Sequence, residues 1–188
     1  DHGDMLGDHW LWWKGPFHYA GCTNVPLFFN WPGTIESGKT ISGIIQQTDV
    51  LPTILDLVGL DCPDGVQGKS LKPLLTSNEK DTGYEFAYIE SVSSGEYHPE
   101  YFDHQGKGRK RKPENPINTL TIRNHEWRFT YYTNRGEGEL YDLKKDPNEF
   151  ENLWNDPSYG DVKNELMVKL LDHVATTRDP LPMKIRPY

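Results

Sequence analysis

Residues 120–142 read L-T-I-R-N-H-E-W-R-F-T-Y-Y-T-N-R-G-E-G-E-L-Y-D, and their pattern is the clearest structural signal in the C-terminal half. Short polar turn sequences divide it into three runs rich in β-branched and aromatic residues: Leu120–Arg123, Trp127–Tyr132 and Glu139–Asp142. Such runs predict an antiparallel meander. A further strand is predicted upstream at Phe86–Val92, so we expect a sheet of four strands.

A helix at about Gly160–Thr176 should cover this sheet. Leu166, Leu170, Leu171 and Val174 recur at helical spacing within it and form one apolar face. Between the first and second strands, Ser93–Pro116 is long, polar and interrupted by glycine and proline, which favours an excursion from the core.

The N-terminal half has the character of an α/β layer. Val25–Trp31 is a nearly continuous apolar run that predicts a strand buried on both faces. Thr48–Val58 predicts a helix with Leu51, Ile54, Leu55 and Val58 in one apolar stripe. Gly68–Leu75 predicts a turn followed by one or two helical turns.

Composition limits the classes of function. The 188 residues carry a formal net charge of -8, and an acidic balance argues against a nucleic-acid partner. One basic run, Lys107–Lys112, is expected to be a solvated loop, with contact to an anionic substrate as the alternative. Cys22 and Cys62 do not form a disulfide framework, and no apolar run has the length of a membrane span.

The segment D-H-G-D-M-L-G-D-H-W-L-W-W-K-G, residues 1–15, combines side chains that can hold an anion against a metal. Asp1 offers hard oxygen ligands and His2 an imidazole nitrogen, while Gly3 leaves room for close backbone approach. Lys14 follows a tryptophan-rich stretch that could desolvate its charge and strengthen its action on an anion. A metal–oxyanion site is one interpretation, and a snorkelling lysine beside an unremarkable Asp-His pair is the other.

This segment resembles the sulfatase branch of the alkaline-phosphatase superfamily. There, Ser-Asp-His-Gly is followed by Gly-Asp-His, by Trp-x-Lys-Gly, by a V-P-L strand and by Pro-Gly, and residues 1–33 match in that order. The likeness continues through T-D-V-L-P-T (48–53), G-K-S-L-K-P-L-L (68–75), W-R-F (127–129) and E-L-Y-D-L with D-P, E and N-L (139–153). The resemblance implies the C-terminal part of an alkaline-phosphatase-like α/β sandwich, residues 1–84, followed by a small antiparallel sheet packed on a C-terminal helix, residues 85–188.

The resemblance also implies roles for individual residues. Asp1 and His2 match the metal-ligand pair, and Lys14 matches the lysine that contacts sulfate and assists catalysis. His9 takes the Gly-Asp-His position, where a structural role is favoured. The implied metal is divalent, with calcium favoured and magnesium or manganese as alternatives. The implied reaction is hydrolysis of a sulfate ester by a formylglycine nucleophile.

The departures from the family pattern concern the nucleophile. Neither Cys22 (C-T-N-V-P) nor Cys62 (C-P-D-G-V) lies in a C-x-P-x-R motif, and Asn24 stands where many relatives have arginine. We therefore expect upstream sequence carrying the formylglycine, and the N-terminal part of the same enzyme as a partner. A phosphonate or phosphate ester hydrolase of the same superfamily and a non-catalytic scaffold or pseudoenzyme are the alternatives.

The resemblance further implies a sulfated small molecule or saccharide as substrate. A substrate rim at Ser93–Pro116, with its basic run, is a further hypothesis. Relatives of this kind suggest an extracytoplasmic location, either periplasmic, secreted or lysosomal.

Overall fold

A four-stranded antiparallel meander dominates the C-terminal half of the computed structural model, which describes residues 1–92 and 118–177. The strand order is β1-β2-β3-β4. The strands are β1 (Ala87–Val92), β2 (Asn118–Arg123), β3 (Trp127–Tyr132) and β4 (Glu137–Asp142). The predicted sheet is confirmed.

Local turn chemistry and apolar pairing set the register of this sheet. Asn124 Oδ1 accepts hydrogen bonds from the backbone N–H groups of Glu126 and Trp127, both at 2.8 Å, which tightens the β2–β3 turn. Phe129 pairs with Ile122 on one side and Leu140 on the other. All three side chains are at most 2% exposed, so a one-residue slip would expel the core of the sheet.

The C-terminal helix α4 runs from Gly160 to Thr176, as predicted. Asp156 Oδ1 accepts from the N–H of Ser158 at 2.8 Å and satisfies a donor where the chain enters the helical segment. Leu166 and Leu170 are buried, whereas Leu171 is 59% exposed and Val174 42%. The buried face is therefore narrower than the predicted one.

The described residues form two compact units. One contains residues 1–26, 88–92 and 118–170, and the other contains residues 27–87 and 171–177. The second unit holds helices α2 (Val50–Leu57) and α3 (Lys72–Thr76) around a core of Leu71, Leu74 and Leu75. A four-residue helix, α1 (Ala20–Thr23), belongs to the first unit.

A buried carboxylate organises the second unit. Asp49 is fully buried, and its side chain accepts from the N–H groups of Gln46 and Lys69 at 2.9 Å and from the Tyr84 hydroxyl at 2.6 Å. Three donors compensate for the lost hydration of the carboxylate. Helix α2 starts directly after Asp49, which agrees with the predicted helix.

The prediction of a strand at Val25–Trp31 is wrong. The segment has no assigned strand, and Phe28 is 87% exposed. Pro26 lacks a ladder donor, and a strand buried on both faces needs neighbours on each side, which the described ranges do not provide.

The apolar stripe predicted for α2 is also not the face of the helix that is buried. Leu51, Ile54 and Val58 are 48–55% exposed, whereas Pro52 and Thr53 are buried. Thr53 Oγ1 donates to the Asp49 carbonyl at 2.6 Å and accepts from the Leu71 N–H at 2.8 Å, so hydrogen bonding draws this face inward.

Ser93–Pro116, including the basic run, lies outside the described residues. So does the tail beyond residue 177. Within the described ranges no helix is both long and apolar enough to cross a bilayer.

Candidate active-site loop

Residues 1–14, here called the site loop, fold back on themselves without regular strands. The N–H of Leu6 donates to the Trp12 carbonyl at 3.2 Å, and the N–H of Gly7 donates to the Leu11 carbonyl at 2.8 Å. Met5 is 1% exposed and anchors the loop in the first unit. This closure brings Lys14 back towards the beginning of the loop.

Gly3 lets the start of the loop lie against α1. Its N–H donates to the Cys22 carbonyl at 3.0 Å. A Cβ atom at this position would lie 2.0 Å from the Gly21 carbonyl oxygen, so no other residue fits without backbone movement. The close backbone approach expected of Gly3 is confirmed.

The three residues predicted as metal ligands and sulfate contact come together. Lys14 Nζ lies 2.6 Å from His2 Nε2, and His2 Nε2 lies 3.6 Å from Asp1 Oδ1. The backbone N–H of Lys14 donates to Asp4 Oδ1 at 2.9 Å, which fixes the position of the lysine in the loop. The three side chains therefore lie close together, and their roles remain a prediction.

The hydrogen bonds of His2 assign its tautomer. Nδ1 lies 3.0 Å from the Gly3 carbonyl oxygen, which can only accept, so Nδ1 carries the proton. In the neutral ring Nε2 then has a free lone pair, which accepts from the Lys14 ammonium. Because a metal ion uses this same lone pair, His2 can serve the ion only after Lys14 releases it.

The donor set at Asp1 and His2 fits part of a divalent-metal site. A carboxylate oxygen and an imidazole nitrogen 3.6 Å apart can both reach one ion, since such ligands bind at roughly 2.0–2.6 Å. Across residues 1–92 and 118–177, no group of three or more His, Cys, Asp or Glu side chains could hold a metal. Two ligands are fewer than a hard cation takes, so further ligands must come from outside this set.

The site loop is open to solvent. The Asp1 side chain is 88% exposed and that of His2 38%, and Lys14 is also exposed. The expected desolvation of Lys14 by indole rings is therefore not found. The indoles of Trp10, Trp12 and Trp13 are themselves 71–95% exposed.

His9 lies among aromatic rings. Its ring stacks on Tyr19, with centroids 3.9 Å apart and planes at 17°, and its other neighbour is Phe150 at 5.0 Å. The structural role favoured for the Gly-Asp-His position remains a prediction.

Sequence reasoning missed a buried charge network behind the loop. Arg128 in β3 is fully buried and pairs with Glu139 and Glu149, with a nitrogen–oxygen distance of 2.8 Å to each. Glu149 Oε2 also accepts from the N–H of Ala20 at 2.9 Å, which ties α1 to the network. The W-R-F motif contains Arg128, but its partners lie distant in the sequence, so only their charges could have suggested the network.

His18 is a second buried group whose environment the sequence did not reveal. It is 4% exposed, with Nδ1 2.8 Å from Thr121 Oγ1 and Nε2 2.8 Å from Ser91 Oγ. Burial, reinforced by the positive charge of Arg128, lowers the pKa of His18 from 6.5 to about 4. The imidazole is therefore neutral at pH 7.

Comparison with known proteins identifies the family. The family model described as "N-sulphoglucosamine sulphohydrolase, C-terminal" matches residues 7–176. The chain is 32% identical over 95% of its length to the Delta 4,5-hexuronate-2-O-sulfatase of Bacteroides thetaiotaomicron. It spans only about a third of the length of the curated relatives it matches.

Solved structures agree with this family. The phosphonate monoester hydrolase of Silicibacter pomeroyi superposes with a TM-score of 0.77 at 26% identity, over 95% of this chain and 34% of that one. A structure in complex with its substrate D-glucosamine-2-N,6-O-disulfate superposes with a TM-score of 0.70 at 28% identity, over 96% of this chain and 35% of that one. The expected fold class is confirmed, and the chain belongs to the sulfatase family described as N-sulphoglucosamine sulphohydrolase, C-terminal.

Proposed function

We propose that the complete protein is a sulfuric ester hydrolase to which this chain contributes metal ligands and a sulfate contact. The observation that carries the proposal is that Asp1, His2 and Lys14 lie close together in a chain of the sulfatase family. In the complete protein, residues 1–84 would end the catalytic α/β domain and residues 85–188 would form the small C-terminal subdomain.

Asp1 and His2 would hold a divalent ion: the carboxylate supplies hard oxygen, which suits calcium, magnesium and manganese alike, and the family resemblance favours calcium. When bound, the ion supplies positive charge to the sulfate oxygens and lowers the pKa of the nucleophile. His2 presents its Nε2 lone pair because Nδ1 is held by the Gly3 carbonyl. Asp1 contributes the negative charge that the ion neutralises.

Lys14 would act on the substrate. Once released from His2, its ammonium can lie against a sulfate oxygen and offset the charge that develops on the leaving oxygen. Charge contacts of this kind in a preorganised site are worth about 3 kcal/mol, or roughly a hundredfold in rate. The hydrogen bond from the Lys14 N–H to Asp4 keeps the base of this side chain in place during that exchange.

The nucleophile would come from the rest of the protein. Cys22 is 6% exposed, and burial raises the pKa of its thiol above the usual value, so it is a poor candidate for attack. A formylglycine in the N-terminal part would supply the attack on sulfur. We propose that this N-terminal part is the principal partner of the chain and that the protein is extracytoplasmic, as the family resemblance implies.

A sulfated saccharide is the favoured substrate class. Trp10, Trp12 and Trp13 expose their indoles within four residues of Lys14, and flat indole faces pack well against the C–H groups of a pyranose. One structural relative was solved with D-glucosamine-2-N,6-O-disulfate as its substrate, which supports the same choice.

A phosphonate monoester hydrolase is the second candidate, supported by the likeness to the enzyme from Silicibacter pomeroyi. The test is to assay the complete protein with 4-nitrophenyl sulfate, a sulfated glucosamine and a phenylphosphonate monoester. We expect kcat/KM for the sulfated substrates to exceed that for the phosphonate by about tenfold or more. A preference for the phosphonate would replace the proposal, and the absence of both calcium binding and turnover would favour a scaffold.

A further inference from the structure

Five side chains form a continuous series of contacts, here called the stack, that leads from the site loop into the sheet; the rings of Tyr19 and Tyr141 also meet edge to face, with centroids 6.2 Å apart. From the outside inwards they are Phe150, His9, Tyr19, Arg128 and Tyr141. His9 lies 5.0 Å from Phe150 and 3.9 Å from Tyr19, measured between ring centroids. The guanidinium carbon of Arg128 lies 4.5 Å from the ring centroids of both Tyr19 and Tyr141.

The inner end of this stack is held firmly. Arg128 is fully buried and ion-paired with Glu139 and Glu149, and its Nη1 also donates to Thr130 Oγ1 at 2.9 Å. The Tyr19 hydroxyl donates to Glu139 at 3.3 Å. A guanidinium flanked by two rings and two carboxylates has one favourable orientation, so the ring of Tyr19 has a fixed platform beneath it.

The outer end of the stack is strained. Leu6, His9 and Trp10 have φ values of 49°, 52° and 63°, a left-handed backbone that residues with a Cβ rarely adopt. Such conformations cost on the order of 1–3 kcal/mol each and persist only where the surroundings impose them. The stacked contact between the rings of His9 and Tyr19 can hold the backbone of His9 in this left-handed conformation.

The loop segment that contains the strained residues leads directly to Lys14. Two backbone hydrogen bonds, from Leu6 to Trp12 and from Gly7 to Leu11, close the loop on either side of His9. Trp12 precedes Lys14 by two residues, and Lys14 is the residue that reaches His2. A shift of His9 therefore moves the ammonium relative to the proposed metal ligands.

We infer that His9 is a positioning residue: its imidazole serves as a flat ring that seats the site loop on the Tyr19–Arg128 platform and so places Lys14 against His2. The inference rests on the proposed function for what Lys14 does, but the seating of the loop is a property of the chain itself. The role requires a planar ring at residue 9 and no proton transfer by it.

The test compares His9→Phe, which keeps a ring, with His9→Asn, which tolerates the left-handed backbone but removes the ring. Both are made in the complete protein. One readout is amide hydrogen exchange at the bonded N–H groups of Leu6, Gly7, Asp8 and Leu11. The other is kcat and KM for 4-nitrophenyl sulfate across pH.

We expect His9→Asn to speed exchange in the site loop by about tenfold or more while strands β2–β4 stay protected. It should lower kcat by about tenfold with a smaller effect on KM. His9→Phe should stay within about threefold of the parent in exchange, kcat and pH profile. Equal impairment of the two variants, or unchanged exchange in His9→Asn, would overturn the inference.

Tyr19 gives an independent arm of the same test. Tyr19→Phe keeps the ring and loses the hydroxyl with its bonds to Glu139 and Tyr141, so loop protection should remain, whereas Tyr19→Leu should lose it. Because His9 and Tyr19 act through one contact, His9→Asn combined with Tyr19→Leu should add little to either change alone. Additive effects on exchange would count against the stack. If the parent protein turns over no sulfate ester, the proposed function fails while the exchange results still decide the role of His9.

Discussion

Lys14 is the residue on which the proposed chemistry depends. Lys14→Ala in the complete protein should lower kcat for a sulfate ester by about a hundredfold, because the charge contact that it removes is worth about 3 kcal/mol. The thermal midpoint should hardly change, since Lys14 is exposed. Steady-state kinetics measures the effect, and Lys144→Ala, at another exposed lysine, is the control. An unchanged kcat would remove Lys14 from the mechanism.

His18 should make the protein less stable in mild acid. Its pKa is lowered from 6.5 to about 4, so between these values the unfolded chain binds a proton that the folded chain does not. The contribution of His18 to the free energy of unfolding is fully present above pH 6.5. It is lost as the pH falls to about 4, and the total loss is about 3 kcal/mol.

The measurement is the thermal midpoint at pH 7 and pH 5 for His18→Gln and for the parent. His18→Gln should lower the midpoint at both values, because the bonds to Ser91 and Thr121 are disturbed, but it should shrink the difference between them. His125→Gln, at an exposed histidine, should leave that difference as in the parent. The pKa of His173 is also lowered by burial, and this contribution remains in both variants. A full pH difference in His18→Gln would contradict the assignment.

At the scale of elements, the exposed stripe of α2 offers a docking face. Leu51, Ile54 and Val58 are about half exposed on one side of the helix, and Leu60 follows at 61%. Neighbouring apolar side chains of this kind mark an interaction surface when they are contiguous. We propose that the N-terminal part of the protein covers them.

Ile54→Glu tests this proposal. In the complete protein it should lower stability by about 2 kcal/mol or more, because a covered apolar side chain is replaced by a charge. Val168→Glu is the matched control: Val168 is 57% exposed on α4, next to the charged Lys169. Thermal unfolding compares the two. Equal, small shifts would show that water covers the α2 stripe.

The sheet and α4 could be predicted because their signals are local. Turn residues such as Asn124 bond to their own neighbours, and the apolar spacing of Leu166 and Leu170 reports one buried face. The burial of Val25–Trp31 and of the α2 stripe could not be predicted, because it depends on what lies against them and not on their own pattern.

The candidate site was predictable only in part, for the same reason. Asp1, His2 and Lys14 share one short segment, so their meeting follows from loop closure and from the family motif. The Arg128 network joins β3 to β4, to Glu149 beyond β4 and to Ala20 at the other end of the unit. Such partners have no fixed spacing, so a sequence gives their charges but not their pairing.

At the scale of the whole molecule, activity should require more than this chain. Asp1 and His2 are two ligands, and neither cysteine lies in a formylglycine motif. The 188 residues alone should therefore turn over no aryl sulfate. The assay compares them with the complete protein at equal concentration, and turnover by the chain alone would contradict the proposed division of roles.

Calcium binding to the complete protein can be measured by calorimetric titration without reference to turnover. Asp1→Asn removes the anionic ligand and should raise the Kd of the complete protein for calcium by about tenfold or more, because the number of charged ligands sets the affinity of a hard-cation site. Asp64→Asn, at an exposed aspartate of the second unit, should bind as the parent does. Lys14→Ala should bind calcium more tightly than the parent, because the ammonium that now occupies the Nε2 lone pair of His2 is gone. Tighter binding in Lys14→Ala with weaker binding in Asp1→Asn would place the ion between Asp1 and His2, whereas equal affinity in all four proteins would move it elsewhere.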